Sequence, residues 1–205
     1  NYLTRAPKRS DVLSVFAGLR PLAAPRSEGK KTKEISRSHK LIREKSGLIT
    51  IIGGKWTTYR KMAQDTLDLA IRYMHIPTKD CITERYQIHG SRKNPDFSDP
   101  LYVYGTDADE IRNLVASSPA MAEKLHPDYA YTVGEVTWLV RNEMPRTLED
   151  VLARRLRILF LDARAAMAMA PKVAGILATE WGKDETWTSA QVKAFNEVAS
   201  NYILN

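Results

Sequence analysis

Ile51-Ile52-Gly53-Gly54-Lys55-Trp56-Thr57-Thr58-Tyr59-Arg60 runs an apolar, β-branched segment into two glycines, a lysine and two hydroxyls just where a helical pattern begins. A junction of this kind suits an anion. Glycines let the backbone approach a ligand, the first turn of a helix offers unpaired N–H groups and partial positive charge, and Lys55 adds a full charge. The same residues also suit an ordinary strand-to-helix turn capped by Thr57 or Thr58. An ATP-type phosphate loop is excluded, because that motif needs a glycine where Ile49 stands. The chain holds no Gly-x-Gly-x-x-Gly either, so it carries no dinucleotide fingerprint of its own.

The 205 residues suffice for one large domain or two small ones, and 43% hydrophobic content can supply a core. A single cysteine, Cys81, permits no internal disulfide and no cysteine-rich metal cluster. No apolar run approaches the roughly 20 residues of a membrane span, and the N-terminus lacks the apolar stretch of a signal peptide. The opening Asn1-Tyr2-Leu3, with no Met, reads as the interior of a longer protein. Charge is uneven: residues 1–80 carry 17 Lys/Arg against 7 Asp/Glu, whereas the remainder carries 14 against 17. The basic half therefore faces anions, either a phosphorylated metabolite, a cofactor phosphate or an acidic surface. Nucleic acid is not expected, since no binding motif or aromatic interleaving accompanies the charge.

Hydrophobic periodicity divides the chain into residues 1–80 and 81–205. In the first part, Asp11 to Gly18, Glu34 to Ile42 and Leu48 to Ile52 read as short strands, the last two joined by a turn at Glu44-Lys45-Ser46-Gly47. A helix follows from about Thr57 to Met74 and stops before Ile76-Pro77. The second part reads as helical throughout. Thr106, Thr132, Thr147 and Thr188, each followed three residues later by Asp, Glu or Gln, mark helix starts. Leu148, Val151, Leu152, Leu156 and Leu159 form one apolar stripe between Thr147 and Phe160, and Pro145 and Pro171 punctuate the run. Val192, Phe195, Ala199, Tyr202 and Ile203 give the last helix its buried face. The fold class is mainly α: a helical C-terminal domain preceded by a small antiparallel β ribbon, α+β overall.

The four histidines show no paired metal spacing, and neither a Gly-x-Ser-x-Gly turn nor a catalytic cysteine signature is present. The series Glu135, Arg141, Glu143, Arg146 and Glu149 reads as surface and interhelix ion pairs. Two arginines differ. Arg20 lies between Gly18 and Pro21, which fixes its backbone direction, and Arg37 lies on the neighbouring ribbon. Paired guanidinium forks are the expected receivers of a phosphate dianion.

Gly18-Leu19-Arg20-Pro21, Ser36-Arg37-Ser38-His39 and Gly53-Gly54-Lys55-Trp56-Thr57-Thr58-Tyr59-Arg60, in that order, resemble the C-terminal portion of the FAD-dependent glycerol-3-phosphate dehydrogenases. The likeness continues through Leu125-His126-Pro127, Tyr131-Thr132-Val133-Gly134-Glu135-Val136-Thr137-Trp138, Arg141-Asn142-Glu143-Met144, Arg146 to Arg155 and Leu161-Asp162-Ala163-Arg164. It covers about Asp11 to Tyr202. Pro145 stands where the family pattern has Ala, which bears only on local helix continuity.

This resemblance implies residue roles. Gly53, Gly54, Lys55, Trp56 and Thr57 resemble the segment that closes over the flavin, where a helix N-terminus stabilises negative charge on the reduced ring. Arg20 resembles the substrate arginine and Arg37 a second anion contact in the same cavity. The implied activity is hydride transfer from C2 of sn-glycerol 3-phosphate to FAD, giving dihydroxyacetone phosphate, with electrons passing to a quinone or, in the oxidase branch, to oxygen. The implied full-length enzyme is cytoplasmic, peripheral on the inner membrane face, and compatible with a homodimer. Residues 1–80 would be the remnant of the FAD and substrate domain, and this chain alone would be inactive and would not hold FAD well. A rival reading is a helical interaction module whose basic arm docks on acidic lipid or protein.

Overall fold

The computed structural model describes residues 4–19 and 38–204. The chain forms two compact units, Gly18–Ile88 and, separately, Asn1–Ala17 with His89–Asn205. The smaller unit holds an antiparallel hairpin of β1 (His39–Arg43) and β2 (Ile49–Gly53), in the register His39 opposite Gly53 and Arg43 opposite Ile49. The turn falls at Glu44 to Gly47, as expected from sequence; Gly47 takes a positive φ of 91° and its N–H donates to Glu44 O at 3.0 Å. β2 leads through a 3-10 turn, Trp56–Thr58, into α1 (Tyr59–Met74). His75, in the left-handed conformation, closes α1 by donating its N–H to Ile71 O. No residue of α1 is buried.

The larger unit is helical: α2 (Ala108–Ala116), α3 (Pro119–Ala122), α4 (Val133–Asn142), a π-helical segment Asp150–Arg155, α5 (Ile158–Leu161), α6 (Ala163–Trp181) and α7 (Glu185–Ser200). α4 is its centre. Every residue from Gly134 to Val140 is buried, because α2, α3 and α6 all pack against α4. Close packing is made possible by small residues. Ala163, Ala166, Ala170 and Ala174 on α6 are all fully buried, and a Cβ on Gly134 would stand 2.8 Å from Val115 Cγ2 and 3.1 Å from Met121 O.

Several expectations need correction. Asp11 to Gly18 is not a strand. Its apolar character serves the helical unit instead: Ser14 Oγ donates to Leu159 O at 2.7 Å, Ala163 N–H to Leu13 O at 3.1 Å, and Val15 N–H to Tyr202 O at 2.8 Å. Residues 76–101 contain neither α-helix nor strand, so the second part is not helical throughout. Leu148, Val151, Leu152, Leu156 and Leu159 are buried as the stripe requires, yet they do not lie on one α-helix. The chain widens there, with Leu156 N–H donating to Val151 O, and breaks at Arg157 with φ of 60°. α6 also continues through Pro171.

The caps divide similarly. Thr132 accepts from Glu135 N–H at 3.1 Å, and Thr147 and Asp150 cap each other reciprocally. Thr106 does not cap α2, and Thr188 lies inside α7, whose cap is Asp184. Asp184 and Asp162 act as single-residue caps without a partner three residues on, so a search for the box passes over them.

Within buried α4, Glu135 accepts a hydrogen bond from Tyr104 Oη at 2.7 Å. Burial lifts its carboxyl above the ordinary glutamate value, against the lowering effect of that bond. Such a group contributes stability fully below the unfolded-state value and loses it as pH rises through the folded-state value. Thermal melts are therefore expected to fall as pH rises above the ordinary glutamate range, with a shallower slope in Glu135→Gln; parallel slopes would assign the dependence elsewhere. Gly134→Ala, by forcing α2 and α3 away from α4, is expected to cost roughly 1–3 kcal/mol, measured as a lowered denaturation midpoint.

Candidate functional site

The junction that opened the sequence reading is built as a strand, a two-glycine turn and a helix. Gly53 has a φ of 75° and Gly54 of 86°, conformations that L side chains rarely adopt. Space adds to the restriction at Gly54, where a Cβ would lie 2.5 Å from Met62 Sδ and 3.3 Å from His39 Cβ. The glycine backbone therefore lies directly against the helix it introduces. Lys55 returns to extended geometry and starts the 3-10 turn. Its N–H donates to Thr58 Oγ1 at 3.2 Å, and Thr58 Oγ1 donates back to Lys55 O at 3.0 Å. Thr58 thus stands at the N-cap position of α1, but its hydroxyl is turned back to the Lys55 backbone and accepts no N–H of the helix it precedes.

Geometry leaves the anion-facing groups available. The first bond of the turn is Thr58 N–H to Lys55 O at 3.0 Å, so the helical ladder offers no acceptor to the N–H groups of Trp56 and Thr57. Lys55 makes no ion pair among the described residues, and Lys55, Trp56 and Thr57 are all exposed. Trp56, 87% exposed, rests only against Tyr59, with ring centroids 5.9 Å apart. The arrangement can donate hydrogen bonds and positive potential.

The turn is held from behind by residues that the sequence reading passed over. His39 Nε2 lies 2.9 Å from Asp65 Oδ2, and Lys61 Nζ lies 2.8 Å from Asp65 Oδ1. The Lys61 hydrogen bond holds the Asp65 carboxyl below its usual range, with a further contribution from His39 and opposition from burial. A Lys-to-Asp spacing of four residues was one available signal; the antiparallel register that sets His39 opposite Gly53 was the other. Arg60 is structural, bonding Gln64 Oε1 at 2.9 Å and Thr83 Oγ1 at 3.1 Å. Arg43 lies over the Tyr73 ring, 3.0 Å from its centroid.

Arg20 and Arg37 lie outside the described residues. Of the charged series on the helical unit, Arg141 pairs with Glu180, Glu143 with Arg155, and Glu149 with Arg154. Glu135 departs from the ion-pair reading because it is buried against Tyr104. No cluster of His, Cys, Asp or Glu among the described residues could hold a metal ion.

Residues 48–188 match the family model described as the C-terminal domain of alpha-glycerophosphate oxidase. The chain is 32% identical to the mitochondrial glycerol-3-phosphate dehydrogenase SDP6 of Arabidopsis thaliana, over 98% of this chain and 39% of that protein. It is 35% identical to a probable mitochondrial glycerol-3-phosphate dehydrogenase of Caenorhabditis elegans, over 96% of this chain and 29% of that protein. The mitochondrial glycerol-3-phosphate dehydrogenase of Mesocricetus auratus is 31% identical over 96% and 29%. The chain thus spans about a third of the length of these relatives. On the extent of the match, the chain belongs to the family of the C-terminal domain of alpha-glycerophosphate oxidase.

Proposed function

We propose that this chain is the C-terminal portion of an FAD-dependent enzyme that oxidises sn-glycerol 3-phosphate to dihydroxyacetone phosphate and passes the electrons to a quinone. In this reading residues 1–80 are the last part of the FAD and substrate domain, and residues 81–205 are the helical C-terminal domain. The observation that carries the reading is the Gly53-Gly54-Lys55 turn, whose positive φ values and unladdered N–H groups prepare the start of α1 for an anion. The relatives' names, all glycerol-3-phosphate dehydrogenases, supply the substrate class.

The residues present fit a flavin at this turn: glycine backbone free of Cβ atoms, an unpaired lysine, and an exposed indole beside it. Bound FAD would supply the hydride acceptor. Gly53 and Gly54 would let the backbone lie flat against it. Lys55 and the N–H groups of Trp56 and Thr57 would place positive potential where negative charge develops. Arg20 and Arg37 would receive the substrate phosphate through charge-assisted bonds and so orient the C2 carbon.

The exposed face of α1 also supports the reading. Trp56, Tyr59, Leu67 and Met74 recur at helical spacing and are 60–87% exposed, an apolar stripe suited to cover by the remainder of a longer polypeptide. Among the described residues, no helix is long and apolar enough to cross a membrane. Peripheral attachment at an inner membrane face would bring the enzyme to its quinone, and a homodimer is compatible with this.

In the full-length enzyme, Arg20→Ala is expected to raise KM for glycerol 3-phosphate by at least tenfold while leaving flavin content unchanged, checked by steady-state kinetics and absorbance. An interaction module would show neither dependence. Gly54→Val, which forces a side chain onto Met62 at a positive φ, should instead lower flavin content in the purified full-length protein. The 205-residue chain alone should be colourless and without turnover; a stoichiometric flavin spectrum from it would contradict this assignment.

A further inference from the structure

The ends of α4 and α6 and the start of α7 surround a hollow of about 570 Å³, within the range of small-molecule sites. Its apolar lining is Val140, Met144, Pro145, Trp181 and Trp187. The two indoles meet edge to face, with centroids 5.7 Å apart. Arg146 and Lys183 also line it, whereas no carboxylate does.

The polar side chains that line this hollow are all donors. The Arg146 guanidinium and the Lys183 ammonium have no partner among the described residues; only their backbone N–H groups are engaged, with Asp150 Oδ2 and Ala178 O. Neither indole N–H of Trp181 or Trp187 meets an acceptor among the described residues, in contrast to Trp138, whose Nε1–H donates to Glu110 at 3.0 Å. Nearby carboxylates are committed elsewhere: Glu180 to Arg141, Asp184 to the Trp187 N–H, and Asp150 to Arg154. Cations beyond the ends of α4 and α6 suit the negative ends of those helices. That accounts for their sign; both side chains are exposed, so their charged heads are free to receive a ligand at the mouth of the cavity.

Met144 adds an independent observation. It is 77% exposed at a φ of 48°, so a flexible apolar side chain is held at the rim in a strained conformation. Strain of this kind concentrates where a side chain must be aimed, and methionine adapts to varied apolar shapes.

We propose that this hollow binds a small amphiphilic anion: a phosphate, carboxylate or sulfate head received by Arg146 and Lys183, with an aliphatic or aromatic body between Met144 and the two indoles. A donor-only set calls for a ligand that accepts. Walls of indole and methionine call for one with an apolar body. The concave shape selects a free molecule over a flat lipid surface. The lining residues all belong to the helical unit, and the proposal does not depend on the activity assigned to the Gly53-Gly54 turn.

The test uses the ¹⁵N-labelled full chain, whose four tryptophans give four indole N–H signals, assigned by Trp181→Phe and Trp187→Phe. Titration with octyl phosphate below its micelle concentration is expected to shift the Trp181 and Trp187 signals saturably and leave Trp138 in place. Octanol and inorganic phosphate, which carry only one of the two features, should each bind at least tenfold more weakly. Arg146→Ala combined with Lys183→Ala should weaken octyl phosphate at least tenfold, leaving octanol binding and the thermal melt unchanged. Equal binding of octanol or of phosphate to the unaltered chain would overturn the proposal without recourse to any variant. So would full retention of binding in the double variant. Binding to phosphatidylglycerol vesicles without binding of octyl phosphate would overturn it in favour of a membrane surface.

Discussion

The helical unit depends on the burial of α4 on all sides. A ten-residue helix has little stability of its own, and α4 persists because α2, α3 and α6 pack around it and bury every residue from Gly134 to Val140. Such close approach restricts residue size. Fully buried alanines at positions 163, 166, 170 and 174 keep α6 narrow where it packs, and Gly134 leaves room for the Val115 side chain and the Met121 carbonyl. Polar groups carried inside must then find partners, as Glu135 does with Tyr104 and Thr137 with the Val133 carbonyl.

The smaller unit obeys a different constraint. Its hairpin and α1 bury nothing fully, so its geometry rests on backbone conformation and a few polar ties. Two glycines at positive φ turn the chain between β2 and α1, and the His39–Asp65–Lys61 network fixes α1 against β1. A thin unit with a preorganised turn and an exposed apolar helix face suits a role completed by further polypeptide. The helical unit, by contrast, carries its own core.

Periodicity revealed the helices of the larger unit because an apolar face must repeat at helical spacing wherever it is buried, and Leu148, Val151 and Leu152 obey that rule. It could not distinguish an α-helix from the π-helical segment at Asp150–Arg155, since both bury the same side chains over so short a span. Asp11 to Gly18 was misread for a related reason. An extended apolar segment has the same pattern whether its N–H and C=O groups meet a second strand or, as here, the ends of helices. Thr106 and Thr188 failed as helix starts because Asp107 and Asp184 stand where the backbone actually enters the helix.

For the site, the glycine pair, Lys55 and the helix start were legible in the sequence, since their chemistry is local and consecutive. The restraint on that turn was not, because His39 and Asp65 lie 26 residues apart and meet only through hairpin register and helix phase. The hollow around Trp181 and Trp187 was equally hidden: its donors come from three helix ends. Sequence alone determined the hairpin turn, the glycine turn before α1 and which apolar residues of the helical unit are buried, all consequences of near-neighbour sterics and periodic burial. Only the tertiary structure decided which charges remain unpaired and which distant side chains share a cavity, because those depend on how close separate elements pack.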